Sequence, residues 1–208
     1  MQNTTLQGIK NIVFDLGGVL ITLDRSEAVN RFKEAGLENS EELLNAYHQK
    51  GIFLDLEEGK LSREEFYEAV CKEAGKFVAK ETIDHGWMGF MKEVPKYKMV
   101  MLEELRQKGY RLYLLSNTNP VIMEWAFSPA FSPQGKTIDE YFDKLYLSYQ
   151  IGCTKPNPEI FQYMFNDSGI IPSESLFIDD GKANVEMGKQ LGMKTYLAEN
   201  GEDFRHLF

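Results

Sequence analysis

Four short apolar runs constrain this chain more than any other feature: IVFD (12–15), YRLYLLSN (110–117), KLYLS (144–148) and SLFIDD (175–180). Each reads as a strand buried on both faces, the pattern of a parallel sheet. A fifth run, KTYLA (194–198), continues the series. Between them, YKMVMLEELRQKG (97–109), NPEIFQYMFNDSG (157–169) and KANVEMGKQLG (182–192) carry apolar residues at helical spacing. The first and third end on glycine, a common helix stop, and the second has Pro158 in its first turn. Strands alternating with helices predict an α/β fold around a doubly wound, Rossmann-like parallel sheet.

Residues 25–94 read differently, with no convincing strand. SEAVNRFKEAG (26–36), SEELLNAYHQKG (40–51) and SREEFYEAVCKEAG (62–75) each start at serine and place acids in the first turn, as helix starts do. KETIDHGWMGFMKE (80–93) reads as a fourth helix. The expected organisation is an α/β core domain, residues 1–24 and 95–208, with a helical cap domain, residues 25–94, inserted after the first strand. LDLEEGKLSREEF (54–66) reads as a loop between cap helices, and residues 128–143 as a Pro/Gly/Ser-rich connection.

A formal net charge of -9 repels nucleic-acid phosphates, yet a local cation still admits a small anion. Cys71 and Cys153 lie far apart with no CxxC pattern, so neither a disulfide nor a zinc site is expected. The N-terminal stretch lacks a basic segment followed by an apolar one, and no apolar run approaches about 20 residues. These features predict a cytoplasmic protein, monomeric or weakly dimeric, with neither membrane nor nucleic acid as partner.

In an open parallel sheet, ligands bind at the carboxyl ends of the strands. Asp15, Ser116-Asn117 and Asp179-Asp180 end three of the runs, and Lys155 follows a fourth, just before a helix start. Gathered at one edge, these groups suit phosphoryl transfer. A carboxylate can attack phosphorus and form an aspartyl-phosphate. Others can bind Mg²⁺. A hydroxyl, backbone N–H groups and an ammonium can hold the transferring oxygens. Gly17 and Gly18 let the chain curl tightly after Asp15. Each signal alone has a plainer reading, since an acid after a strand is often a turn or helix-cap residue. Their order and strand context together carry the case.

VFDLGGVL (13–20), LLSNTN (114–119), TKP (154–156) and FIDDGKAN (177–184) resemble the four motifs of the haloacid dehalogenase superfamily, including a helical cap after the first strand. Within it, the DLG first motif, the GW pair, LSNTN and the FIDD motif resemble bacterial α-D-glucose-1-phosphate phosphatases. The resemblance implies a Mg²⁺-dependent phosphatase of a small phosphorylated metabolite, such as a hexose 1-phosphate. Asp15 would be nucleophile and metal ligand, and the Gly17 carbonyl a backbone ligand. Ser116, with the Asn117 backbone, would hold phosphate, and Lys155 would neutralise charge. Asp180 would bind the metal with Asp179 beside it, and Asn184 would order that shell.

One position departs from the pattern. Most phosphatases of the superfamily carry a second Asp two residues after the nucleophile, as general acid and base, where this chain has Gly17. Such a group is typically worth ~10²–10⁴-fold. Either turnover is slow, a substitute serves, or the leaving group is acidic enough to need no proton, as a sugar anomeric hydroxyl is. Candidate substitutes are Asp24, Glu57 and His85, which read first as a hinge or helix-cap residue, a solvated acid and a surface residue. In the cap, Lys60 reads as solvated and Trp87 as cap core, against possible contacts to a distal anion and a sugar face. A metal-independent 2-haloacid dehalogenase is the alternative, though it would leave Asp15, Asp179 and Asp180 repelling one another. A catalytically silent phosphate-binding protein of the same fold is a third reading.

Overall fold

The computed structural model describes residues 6–44 and 49–208. Among the described residues β1 (Asn11–Phe14) and β2 (Thr22–Leu23) come first, followed by the helices α1 (Arg25–Ala35), α2 (Ser40–Leu43), α3 (Gly51–Glu57), α4 (Arg63–Ala74) and α5 (Lys80–Met88). Next come β3 (Met91–Glu93), α6 (Lys96–Gln107), β4 (Arg111–Ser116) and α7 (Pro120–Ala126). β5 (Lys144–Leu147), α8 (Ser148–Ile151), α9 (Pro158–Ser168), β6 (Ser175–Asp179), α10 (Lys182–Gln190) and β7 (Lys194–Leu197) complete it.

Five strands form one parallel sheet in the order β5-β4-β1-β6-β7. The order reverses between β1 and β6, and a doubly wound sheet opens its ligand crevice at such a point. Side chains alternate between the faces. Ile12 and Phe14 join a core with Met99 and Leu102 of α6, while Val13 joins Phe161 and Met164 of α9 on the other face. Burial on both faces explains why these strands read as continuous apolar runs.

β2 and β3 pair antiparallel where the chain leaves and re-enters the sheet layer. No strand was expected near residue 91. Three residues, Met-Lys-Glu, of which the last two are exposed, are too few to show alternation. Helices α1–α5 lie between these two strands. Their apolar faces meet in an aromatic cluster, with Trp87 edge-on to Phe32 and Phe53 at 5.9 and 5.3 Å between ring centroids.

Several helix boundaries differ from those expected. Asp24, rather than Ser26, caps α1, its Oδ1 accepting the Glu27 N–H. The expected helix 40–51 stops at Leu43, because Leu44 turns extended; residues 45–48 of that stretch lie outside the described residues. Ser62 caps α4 in a reciprocal box with Glu65, as expected. The expected loop 54–66 is helical up to Glu57, so only residues 58–62 connect α3 to α4. α5 ends at Met88, before the expected limit. α7 was not anticipated; Asn119 caps it by accepting the Val121 and Ile122 N–H groups, and Pro120 starts it. Both cysteines are free. Among the described residues no helix is long and apolar enough to cross a membrane.

Candidate active site

The register of β1 sets the site. The Asp15 N–H donates to Ile178 O at 2.9 Å, which brings Asp15 level with Asp179 at the end of β6. Ser116 ends β4 on the other side. Lys155 reaches between them from the loop before α9. Its Nζ lies 2.9 Å from Asp15 Oδ1, 2.6 Å from Asp179 Oδ2 and 2.7 Å from the Leu115 carbonyl, with the side chain fully buried. Burial works against this ammonium, but Asp15 and Asp179 outweigh it and its pKa moves up. Lys155 is therefore a fixed positive charge.

Asp15 Oδ1 also accepts the Leu16 N–H at 2.7 Å. Both contacts fall on Oδ1, so among the described residues Oδ2 is the oxygen left without a protein donor. Asp179 has both oxygens engaged. Oδ2 meets Lys155, while Oδ1 accepts the Gly181 N–H and the Asn184 amide at 2.7 and 2.9 Å. Asn184 thus orders the acid pair through Asp179. Asp180 packs against the glycine loop: a Cβ on Gly18, whose φ is +74°, would fall 2.0 Å from Asp180 Oδ2. Only glycine allows that approach.

Asp15, Asp179 and Asp180 each place an oxygen within 4.8 Å of the others. Burial pushes Asp15 up to about 6, opposed by Lys155 and reinforced by Asp179. Burial, then Asp15 and Asp179, push Asp180 up to about 8. Three carboxylates against one ammonium form an oxygen-rich, electron-rich cluster, the donor set a hard divalent cation takes. The residues present fit Mg²⁺.

A cavity of about 90 Å³ opens over this edge and is lined by Asp15, Gly17, Ser116, Asn117, Lys155 and Asp180. The six expected core residues that line it thus come together, with Asp179 behind them. Asn117 has a further part that its motif did not reveal. Its side chain accepts the Lys155 N–H at 2.7 Å and donates to the Lys155 carbonyl at 3.0 Å, clamping the loop that carries the lysine.

The roof of the cavity comes from the helical segment between β2 and β3. Trp87 is buried in the core of these helices, yet it also lines the cavity, and its Nε1–H has no partner among the described residues. Lys60 is exposed and pairs with Glu58, as expected of a solvated lysine. His85 is exposed, with Arg31 donating to its carbonyl at 3.0 Å, and Asp24 is a helix cap. Glu57 corrects the sequence reading. It is not a solvated acid but is 6% exposed and lines the cavity. Burial, together with the Asp15 charge, pushes its carboxyl up to about 8. Beside Gly17 the space is filled by Leu23, whose Cδ1 would lie 3.0 Å from a Cβ at position 17.

Comparison with known proteins identifies the family and the fold. The model of the haloacid dehalogenase-like hydrolase family matches residues 9–192. The chain is 52% identical over 197 residues to a D-ribitol-5-phosphate phosphatase of Bacteroides thetaiotaomicron, covering 95% of each. Among solved structures, a HAD-like family hydrolase from Porphyromonas gingivalis superposes with a TM-score of 0.91 at 47% identity, covering 95% of both chains. A HAD family enzyme from Bacteroides thetaiotaomicron, in complex with magnesium and inorganic phosphate, gives 0.87 at 42%, covering 96% of this chain and 99% of that one. The chain belongs to the haloacid dehalogenase-like hydrolase family.

Proposed function

We infer that this chain is a Mg²⁺-dependent phosphatase that hydrolyses a small sugar or polyol phosphate through an aspartyl-phosphate on Asp15. The observation that carries the reading is Asp15 held by Lys155 at the β1 tip, beside Ser116 and Asp180 in one cavity. Asp15 and Asp180, with the Gly17 carbonyl and with Asp179 beside them, are the groups that would hold Mg²⁺. Bound there, the cation offsets the clustered carboxylates and draws in the phosphate.

The chain's own groups divide the work. Asp15 Oδ2 attacks phosphorus while the ester P–O bond breaks, its electron pair leaving on the substrate oxygen. The Lys155 ammonium and the Ser116 hydroxyl hold the transferring oxygens, with the Asn117 backbone beside them. Water then cleaves the acyl-phosphate and returns Asp15. The three clustered acids favour this reading over a metal-independent dehalogenase, in which the single Lys155 ammonium would have to offset all three.

For the substrate, the 52% identical relative favours a pentitol or pentose 5-phosphate over a hexose 1-phosphate. Trp87, whose N–H on the cavity wall has no partner among the described residues, offers a donor to a substrate hydroxyl. The test is phosphate release from a panel that includes D-ribitol 5-phosphate and α-D-glucose 1-phosphate. Release that requires Mg²⁺ and is lost in EDTA and in Asp15→Asn is expected. Activity that survives both overturns the reading.

A further inference from the structure

Gly17 leaves this site without the side chain that would protonate a leaving oxygen, and the structure separates the residues able to replace it. Asp24 spends its carboxylate on the start of α1. His85 is exposed and is not among the residues lining the cavity. Glu57 stands at the last turn of α3, buried, on the wall shared with Asp15, Gly17 and Ser116.

The cap is fastened so that Glu57 keeps this place. Gly59, two residues on, lies so close to α8 that a Cβ there would sit 2.2 Å from the Tyr149 carbonyl oxygen. Glu58 accepts a hydrogen bond from Thr154 Oγ1 at 3.3 Å, and Thr154 is the neighbour of Lys155. Arg63 of α4 reaches Glu124 of α7 at 2.6 Å. The loop that follows Glu57 is thus tied to the segment that carries Lys155.

We propose that Glu57 is the general acid and base of this enzyme, supplied by the cap in place of a side chain at position 17. The proposal rests on the phosphatase reading above. In the first half-reaction the Glu57 carboxylic acid gives its proton to the substrate oxygen as the P–O bond breaks. In the second, the Glu57 carboxylate takes a proton from water as that water's oxygen attacks the aspartyl-phosphate. The P–O bond to Asp15 then breaks, leaving phosphate, a free Asp15 carboxylate and Glu57 protonated for the next turn. Burial favours the protonated form of this carboxyl, the form in which the first half-reaction begins. A primary alcohol is a poor leaving group without a proton, so a cap-borne acid suits a polyol phosphate.

The test is a leaving-group comparison under Mg²⁺. In Glu57→Gln, kcat/KM for an alkyl phosphate such as D-ribitol 5-phosphate falls by about 10²–10⁴-fold, the ordinary worth of a general acid. For p-nitrophenyl phosphate, whose phenolate leaves without a proton, kcat/KM stays within a few-fold. Equal losses on both substrates mean that Glu57 only seats the cap; no loss on either means that it is idle. Each result overturns the proposal. Wild-type enzyme supplies an independent reading should the variant not fold. Across esters from acidic phenols to primary alcohols, kcat/KM changes shallowly if a proton is donated, and a steep dependence overturns the assignment. Asp15→Asn assayed on p-nitrophenyl phosphate keeps the two claims apart, because its loss of turnover upholds the phosphatase reading whatever Glu57 does.

Discussion

Glu57→Gln has a second consequence, in stability rather than rate. Without metal, the Glu57 carboxyl titrates at about 8 in the folded protein against 4.5 ordinarily. Burial is the main cause, and Asp15 and Glu58 add to it while Lys155 opposes. Between those pH values the folded state keeps a proton that the unfolded chain releases. The stability that Glu57 contributes is therefore complete below about pH 4.5 and is lost as the pH rises to about 8. Glutamine has the same shape and no proton to lose, so it escapes this penalty. At 1.36 kcal/mol per pKa unit, the variant gains about 3 kcal/mol on the wild type between pH 5 and pH 8. Urea denaturation of both proteins in chelator, across that range, measures the gap. A gap that does not change with pH, or one that widens in favour of the wild type, would refute the argument that Glu57 is a buried, protonated acid.

Three further predictions rest on particular contacts. Lys155→Met leaves Asp15 and Asp179 without their shared cation, and metal-free stability in urea falls by about 3–5 kcal/mol, with Mg²⁺ restoring part of it; unchanged stability would contradict the bridge. Gly59→Ala drives a methyl into the Tyr149 carbonyl at a φ of +66°, which displaces the cap loop and lowers kcat by up to about a hundredfold. Its far-ultraviolet circular dichroism stays native, and full activity would show that the loop need not seat there. Gly17→Asp in the Glu57→Gln background returns an acid to the usual position. Its Cβ meets only the flexible end of Leu23, so the double variant recovers roughly tenfold or more on an alkyl phosphate.

What the sequence revealed was local, and what it hid was made by contacts between distant segments. Asp15, Ser116 and Asp179-Asp180 are legible because each ends an apolar run that only a buried parallel strand explains. That they share one edge follows from the strands being parallel, which the alternation of strands and helices implies; that they are neighbours comes from the strand order, which the sequence does not show. Glu57 was hidden because LDLEEGK looks like a solvated stretch, and its burial depends on Gly59 meeting Tyr149 and Glu58 meeting Thr154, some 90 residues away. The Asn117 clamp on Lys155 is equally non-local. The β2–β3 ribbon was invisible for the opposite reason, since two- and three-residue strands carry no period to read. Leu23, at the end of β2, fills the space beside Gly17, so the missing side chain is answered on two sides: apolar packing where it would have been, and an acid lowered from the cap.

On the reading proposed above, Asp15 carries the phosphoryl group between the two half-reactions. The most direct measurement is rapid acid quench of the enzyme turning over a phosphate ester in Mg²⁺, followed by mass spectrometry of its peptides. One added phosphoryl group is expected on the peptide that contains Asp15, absent in Asp15→Asn and accumulating in Glu57→Gln with p-nitrophenyl phosphate. Turnover with no such adduct, at a rate that Asp15→Asn leaves unchanged, would contradict it.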